Sequence, residues 1–253
     1  MNEATIRLDS FLSDQGFCAR RKVKDFLSQN RVTINGEKVT EPGIRLDLGK
    51  DELSVNDKKL ELNPNKNLVY LVLNKPKNVL SASSDTTRRK TVLNFVPQTY
   101  PRVYPVGRLD EQSTGLVLLT NDGDLAYKLT HPKFHIPKKY LVWVVGNPSD
   151  KRLQPLREGI KLKEGKTAPA QLIILKSSPK STLIEVIINE GKNHQIRRMF
   201  ERVKVPLIQL KRISMGSINL DYLGLGKLRE LSESEIKTLK SEVESKTKEL
   251  TQK

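Results

Sequence analysis

The stretch "VGRLDEQSTGLVLLTNDG", Val106 to Gly123, constrains this chain more than any other. Leu116 to Leu119 is a short unbroken apolar run bounded by turn signals, which reads as a buried strand. Asn121-Asp122-Gly123 closes the run with a turn and hands the chain to a helix. Ahead of the strand, Gly107-Arg108-Leu109-Asp110 forms a loop carrying a carboxylate. A buried strand is a rigid scaffold, able to hold that acid at the edge of a cleft. Asp122 and Asp124 need no such explanation, because a turn followed by a helix cap accounts for both.

An acid in that position is notable because the chain carries a net charge of +16. Residues 1–62 hold 11 basic and 11 acidic residues, and residues 233–253 hold 5 of each. The whole excess therefore lies in the middle of the chain, where a one-sign surface points to a polyanion. No apolar run reaches the length of a membrane span, and no basic amphipathic helix or lipidation signal is present, so nucleic acid is expected and a membrane is not. With 6 Phe, 6 Tyr and one Trp, a repeated stacking platform for single strands is not expected. Cys18 is the only cysteine, which excludes an internal disulfide and fits a reducing cytoplasm. The N-terminal residues lack a secretory pattern. A monomer is expected.

The chain reads as α+β: a small N-terminal unit over 1–62, a polar linker over 63–67, a larger domain over 68–235 and a charged C-terminal helix or tail over 236–253. In the first unit, helices are expected over Ile6–Gln15 and Ala19–Gln29. Asn30 is then a left-handed cap, and Asn35-Gly36 is the turn of a small hairpin. The second helix gathers Arg20, Arg21, Lys22 and Lys24, with Arg31 just beyond it. In the larger domain, strands are expected near 68–73, 103–106, 115–120, 140–145, 171–175 and 183–188. Helices fall near 123–130, 150–158, 193–204 and 232–250. Their order lacks a regular βαβ beat, so the sheet is mixed or antiparallel and flanked by helices.

Cofactor signatures are missing. His131 and His135 lie in a loop, without metal-ligand spacing, and read as structural or RNA-facing. There is no nucleophile-elbow serine, phosphate-binding loop or dinucleotide fingerprint. No metal or other cofactor is expected. A pair of acids acting on a glycosidic bond is conceivable among Asp110, Asp122 and Asp124. Two further stretches stand out: Lys138-Lys139-Tyr140 entering a strand, and "EGKNHQIRRMF", Glu190 to Phe200, where a turn opens a helix bearing Arg197 and Arg198.

"IRLDSFLSDQGFCARRKVKDFLSQNRVTINGEKV" resembles the S4 RNA-binding domain over most of residues 5–50. In that family, two short helices and the following turn present basic side chains to structured RNA. The resemblance makes Arg20, Arg21, Lys22, Lys24 and Arg31 RNA contacts. Ala19 stands where the family often has Ser, which costs the second helix a capping hydroxyl worth about 1 kcal/mol.

Over about residues 5–235, "GRLDEQSTGLVLLTNDGDL", with "NKP", "KKY" and "EGKNHQIRRM" in their expected order, resembles the pseudouridine synthases of the RsuA type. These join an S4 domain to a catalytic domain. The resemblance implies isomerisation of uridine in ribosomal RNA, free or in a pre-ribosomal particle, without a cofactor. It makes Asp110 the catalytic aspartate, has Tyr140 stack on the target uracil and pairs Arg197 with Asp110. Arg108, Lys75 and Ile196 are expected around the substrate, and Lys138 and Arg198 on the RNA. A nearby guanidinium favours the deprotonated acid that such chemistry needs. "PRVYPVGRLDEQSTGLVLLTNDGDL" leans toward the large-subunit branch and "RISMGSINLD" toward the small-subunit branch. The competing reading is a non-catalytic S4-type RNA-binding factor in ribosome assembly, which would need no special Asp110.

Overall fold

The β9 strand, Thr114–Thr120, is buried along its whole length and organises the larger part of the molecule. The computed structural model describes residues 5–62 and 68–251; the linker expected over 63–67 lies outside them. The chain divides into two compact units, one holding residues up to Val69 with short pieces at Thr99–Arg102 and Asn121–Gly123, the other holding the rest.

In the first unit, β1 (Thr5–Arg7) precedes α1 (Leu8–Asp14). Ile6 and Arg7, expected in the helix, pair instead with β4 (Arg45–Asp47), and the helix starts only at Leu8. The second expected helix is also divided. Arg20–Lys22 forms a 3-10 turn and α2 runs over Val23–Gln29. Without a hydroxyl at Ala19 the first turn tightens, and the Lys22 N–H donates to the Ala19 carbonyl at 2.6 Å. Asn30 is extended, with φ −126° and ψ 150°, rather than left-handed. Its side-chain amide caps the helix by donating to the Phe26 carbonyl at 3.0 Å, which frees the backbone to run on toward the hairpin. That hairpin is β2 (Val32–Ile34) and β3 (Glu37–Lys38). Its turn has φ of 52° at Asn35 and 85° at Gly36, the primed geometry that matches strand twist. β5 (Leu53–Val55) and β6 (Lys58–Leu60) complete a four-stranded sheet with them. Leu8, Phe11, Leu12, Val23, Leu27 and Leu46 fill the core.

The larger unit is a nine-stranded mixed sheet. Along its main path run β13 (Gln171–Ser177), β14 (Ser181–Ile188), β10 (Lys138–Val145), β15 (Leu207–Met215), β9, β7 (Tyr70–Lys75) and β17 (Leu228–Glu230). β8 (Tyr104–Pro105) pairs with β9, and β16 (Ile218–Asn219) with β15. A separate ribbon joins β11 (Lys161–Leu162) to β12 (Gly165–Lys166). Among the strands of this sheet in the described residues only β9 and β15 pair in parallel. β7 and β9 are buried on both faces, as central strands are, whereas β10 and β14 alternate buried and half-buried residues. The helices are α3 (Gly123–Thr130), α4 (Asp150–Glu158), α5 (Gln195–Arg202) and α6 (Glu233–Thr251). α6 matches the helix expected near 232–250 to within one residue at each end. It is docked by Leu239 and Val243, which are 1% and 2% exposed, so it belongs to this unit rather than forming a tail.

β15 has no counterpart in the sequence reading, yet it lies at the centre of the sheet. Its Lys211 and Arg212 disguise it as a surface segment. Its entry to the sheet depends on Gly115, whose φ is +106°. A Cβ at that position would lie 2.1 Å from the Arg212 carbonyl oxygen, so only glycine lets the two strands pair.

Candidate active site

Asp110 sits between β8 and β9 in a loop that is held on both sides. Leu109 is buried, its N–H donates to the Ser81 hydroxyl and its carbonyl accepts from the same hydroxyl, each at 3.0 Å. The Ser113 N–H closes a turn onto the Asp110 carbonyl at 3.0 Å. Lys75 lies beneath. Its ammonium donates to the carbonyls of Val79 at 2.8 Å, Pro76 at 2.9 Å and Glu111 at 3.2 Å. Lys75, expected around the substrate, is 0% exposed and spends its donors tying the Asp110 loop to the end of β7. Burial pushes it down to about 8, with Asp110 opposing the shift.

The Asp110 side chain is 24% exposed. Arg197, two residues into α5, donates from Nε to Asp110 Oδ2 at 3.2 Å and from Nη2 to the Ser113 hydroxyl at 3.0 Å. The guanidinium thus bridges the acid and the turn that carries it. Asp110 Oδ1 is 3.5 Å from Nε2 of His194, which holds φ 48° just ahead of α5. Gln195 fixes this segment by donating to Glu190 at 2.6 Å and accepting from the Lys192 N–H at 2.9 Å.

A cavity of about 280 Å³ opens beside Asp110, small for a ligand cleft and suited to a single nucleoside. Tyr140 and Ile196 line it, 7% and 4% exposed, and Arg108 stands exposed at its edge. Tyr140 faces Arg212 across the β10–β15 pair, where the register shifts by one residue. That bulge aims both side chains at the cleft. Asp110 is the only acid among the described lining residues, which leaves a glycosidase-type pair without its second carboxylate.

Two expected RNA contacts are placed otherwise. Lys138 is 6% exposed and forms part of the cleft wall, its ammonium donating to the Ile136 carbonyl at 2.9 Å. Arg198 donates to Glu164 at 2.6 Å, with its Nε and Nη2 enclosed and its side chain 24% exposed. Arg20, Arg21, Lys22, Lys24 and Arg31 are exposed in the first unit. Arg20 pairs with Asp9 at 3.4 Å, Lys22 with Asp25 at 3.1 Å and Arg31 with Asp57 at 3.3 Å. Among the described residues, Arg21 and Lys24 have no acid partner.

The sequence reading missed His194, Ser113, Ser81 and Arg212. The first two lie inside the stretches it singled out, where a hydroxyl three residues beyond the acid and a histidine at a helix start are the available signals. His131 is a cap, accepting the Lys133 N–H at 3.2 Å and packing on Tyr127 and Phe134. No group of three potential metal ligands occurs among the described residues, and no described helix is long and apolar enough to cross a membrane.

A sheet with one arginine-paired acid at its loop edge, facing a tyrosine across a nucleoside-sized cleft, is the frame of an enzyme acting on a base or its sugar. Residues 69–202 match the RNA pseudouridylate synthase family model and residues 6–53 match the S4 domain. Ribosomal large subunit pseudouridine synthase B of Bacillus subtilis is 41% identical over 93% of this chain and 96% of its own. An uncharacterized RNA pseudouridine synthase of Aquifex aeolicus is 35% identical over 92% and 93%. A crystal structure of a pseudouridylate synthase, 32% identical, covers 92% of this chain and 99% of its own with a TM-score of 0.66. The chain belongs to the RNA pseudouridylate synthase family, in its branch with an N-terminal S4 domain, and is an enzyme that isomerises uridine in RNA.

Proposed function

We propose that the cleft converts a uridine of ribosomal RNA to pseudouridine with Asp110 as the acting carboxylate. The observation that carries this reading is the isolation of Asp110: the single acid among the described residues lining the cleft, held by Arg197. Isomerisation breaks the C1′–N1 bond, with the electron pair leaving on the base. The base turns, C5 bonds to C1′, C5 loses its proton and N1 gains one, so the atoms balance without a co-reactant. Asp110 can serve by attacking C1′, by adding to C6 or by taking the 2′-proton, and each role needs the ionised form that Arg197 favours. Tyr140 stacks on the uracil and Ile196 packs beside it, after the nucleotide has left its stack.

The large-subunit name of the Bacillus subtilis relative supports large-subunit rRNA as the target. The exposed cations of the S4 unit support it as the targeting element. A cytoplasmic monomer acting on rRNA, free or within an assembling particle, completes the reading. Asp110→Asn tests it. Release of tritium from C5-labelled uridine should fall at least about a thousand-fold, with RNA affinity kept or raised because a charge that repels phosphate is gone. Turnover at the parent rate refutes the role of Asp110. Pseudouridine mapping of both rRNAs, with and without the gene, tests the target.

A further inference from the structure

Arg212 is among the largest fully buried side chains of the protein, 2% exposed on the central strand β15. Its Nε donates to the Leu116 carbonyl at 2.7 Å, while Nη2 finds no partner. No acid among the described residues pairs with it. Lys138, on the neighbouring strand and the same face as Tyr140, is almost as buried, and Ile136 takes only one of its three donors. Both line the cleft, and neither is bonded to the groups there that carry acceptors, Asp110, Thr130, Asn193 and Gln195. A cation sealed from water without a counter-charge is costly, and enclosed donors are normally satisfied. Two such cations share one wall, and they are close enough for Arg212 to help burial bring Lys138 down to about 8. The arrangement also depends on Gly115, which alone lets the Arg212 backbone approach β9.

We propose that Arg212 and Lys138 contact the carbonyl edge of the target uracil and hold the base while its bond to the ribose is open. This rests on the reading of the cleft as the uridine site. When the C1′–N1 bond breaks, the electron pair delocalises over N1 and the carbonyl oxygens, so negative charge appears on the base. Fixed donors aimed at that charge lower the barrier and keep the base in the cleft as it turns. The same pair discriminates against cytosine, whose exocyclic amino group would set donors against donors at the corresponding edge.

The test uses the full chain and an rRNA fragment that the parent enzyme modifies. Arg212→Gln and Lys138→Met are compared with Asp110→Asn in single-turnover reactions at saturating enzyme. The same reactions are repeated on fragments with 2-thiouridine or 4-thiouridine at the target. Each variant is expected to be about 100-fold slower on uridine with RNA affinity within about two-fold of the parent. At least one thio fragment should slow the parent more than the variants, because the contacted oxygen is already without its donor. Arg212→Lys, which keeps the charge, should recover part of the rate. If Arg212→Gln fails to fold, Lys138→Met carries the test alone. Variants that react at the parent rate overturn the inference, and so do variant and thio effects that multiply independently. In both cases loss of activity in Asp110→Asn leaves the uridine site standing, whereas an active Asp110→Asn removes the site itself.

Discussion

In the S4 unit, Arg21 and Lys24 stand in solvent beside and on a short helix, while in the larger unit Arg212 and Lys138 are sealed at 2% and 6% exposure. The exposed pair can meet phosphate at little desolvation cost, and salt screens what it gains. The buried pair is costly to keep. On our proposal it offers a fixed field where charge develops during reaction. Exposure, more than residue type, separates the two pairs of cations in this protein. Arg198 and Arg197, adjacent in sequence, divide the same way: one is tied off by Glu164, the other aimed at Asp110.

The harshest way to break the comparison is Gly115→Ala. The new methyl would collide with the Arg212 carbonyl at a φ of +106°, so a loss of at least about 3 kcal/mol in urea unfolding is expected, with activity abolished. Parent-like stability would mean that β9 and β15 can separate without harm. Arg197→Ala is expected to cut single-turnover rate by about 100-fold or more while RNA affinity changes less than about three-fold. Arg198→Ala should lower stability by about 1–3 kcal/mol and leave RNA affinity nearly unchanged. Equal affinity losses in both variants would return Arg198 to the RNA surface.

Lys138 supplies a pH signature. Its folded value of about 8 lies below the usual 10.5, because burial, then Arg212, disfavour the charged form. Between those values the unfolded chain binds more protons than the folded one, so stability contributed by this site rises from pH 8 to 10.5. Relative to Lys138→Met, the parent should gain up to about 3 kcal/mol across that window, measured by denaturant titration. A flat difference would show that Lys138 is not buried as a cation. The smallest effect belongs to the exposed pair. Arg21→Ala with Lys24→Ala should leave unfolding within about 0.5 kcal/mol, weaken rRNA binding and reduce the salt slope of log affinity by about 2. An unchanged slope would place RNA elsewhere on the S4 unit.

The stretches that local chemistry controls were legible without coordinates. The bounds of α3 and α4 match their expected ranges, and the Asn35-Gly36 hairpin follows from backbone preference alone. The loop bearing Asp110 stood out because an acid, a glycine turn and an apolar strand are contiguous. The early end of the first expected helix was not legible, because Thr5–Arg7 answers to a strand 40 residues away. Nor was β15, whose charged pair hides a central strand until its neighbours close over it.

By itself, then, the sequence determined the two-part organisation, the family's motifs and the residues able to do chemistry, since these depend on short spacing and side-chain type. Tertiary structure alone decided which cations face solvent, that Lys75 braces a loop, that Lys138 lines a cleft, and that Arg212 waits there with an unpaired donor. Burial and pairing are set by partners distant in the chain, and one-dimensional order carries no measure of them.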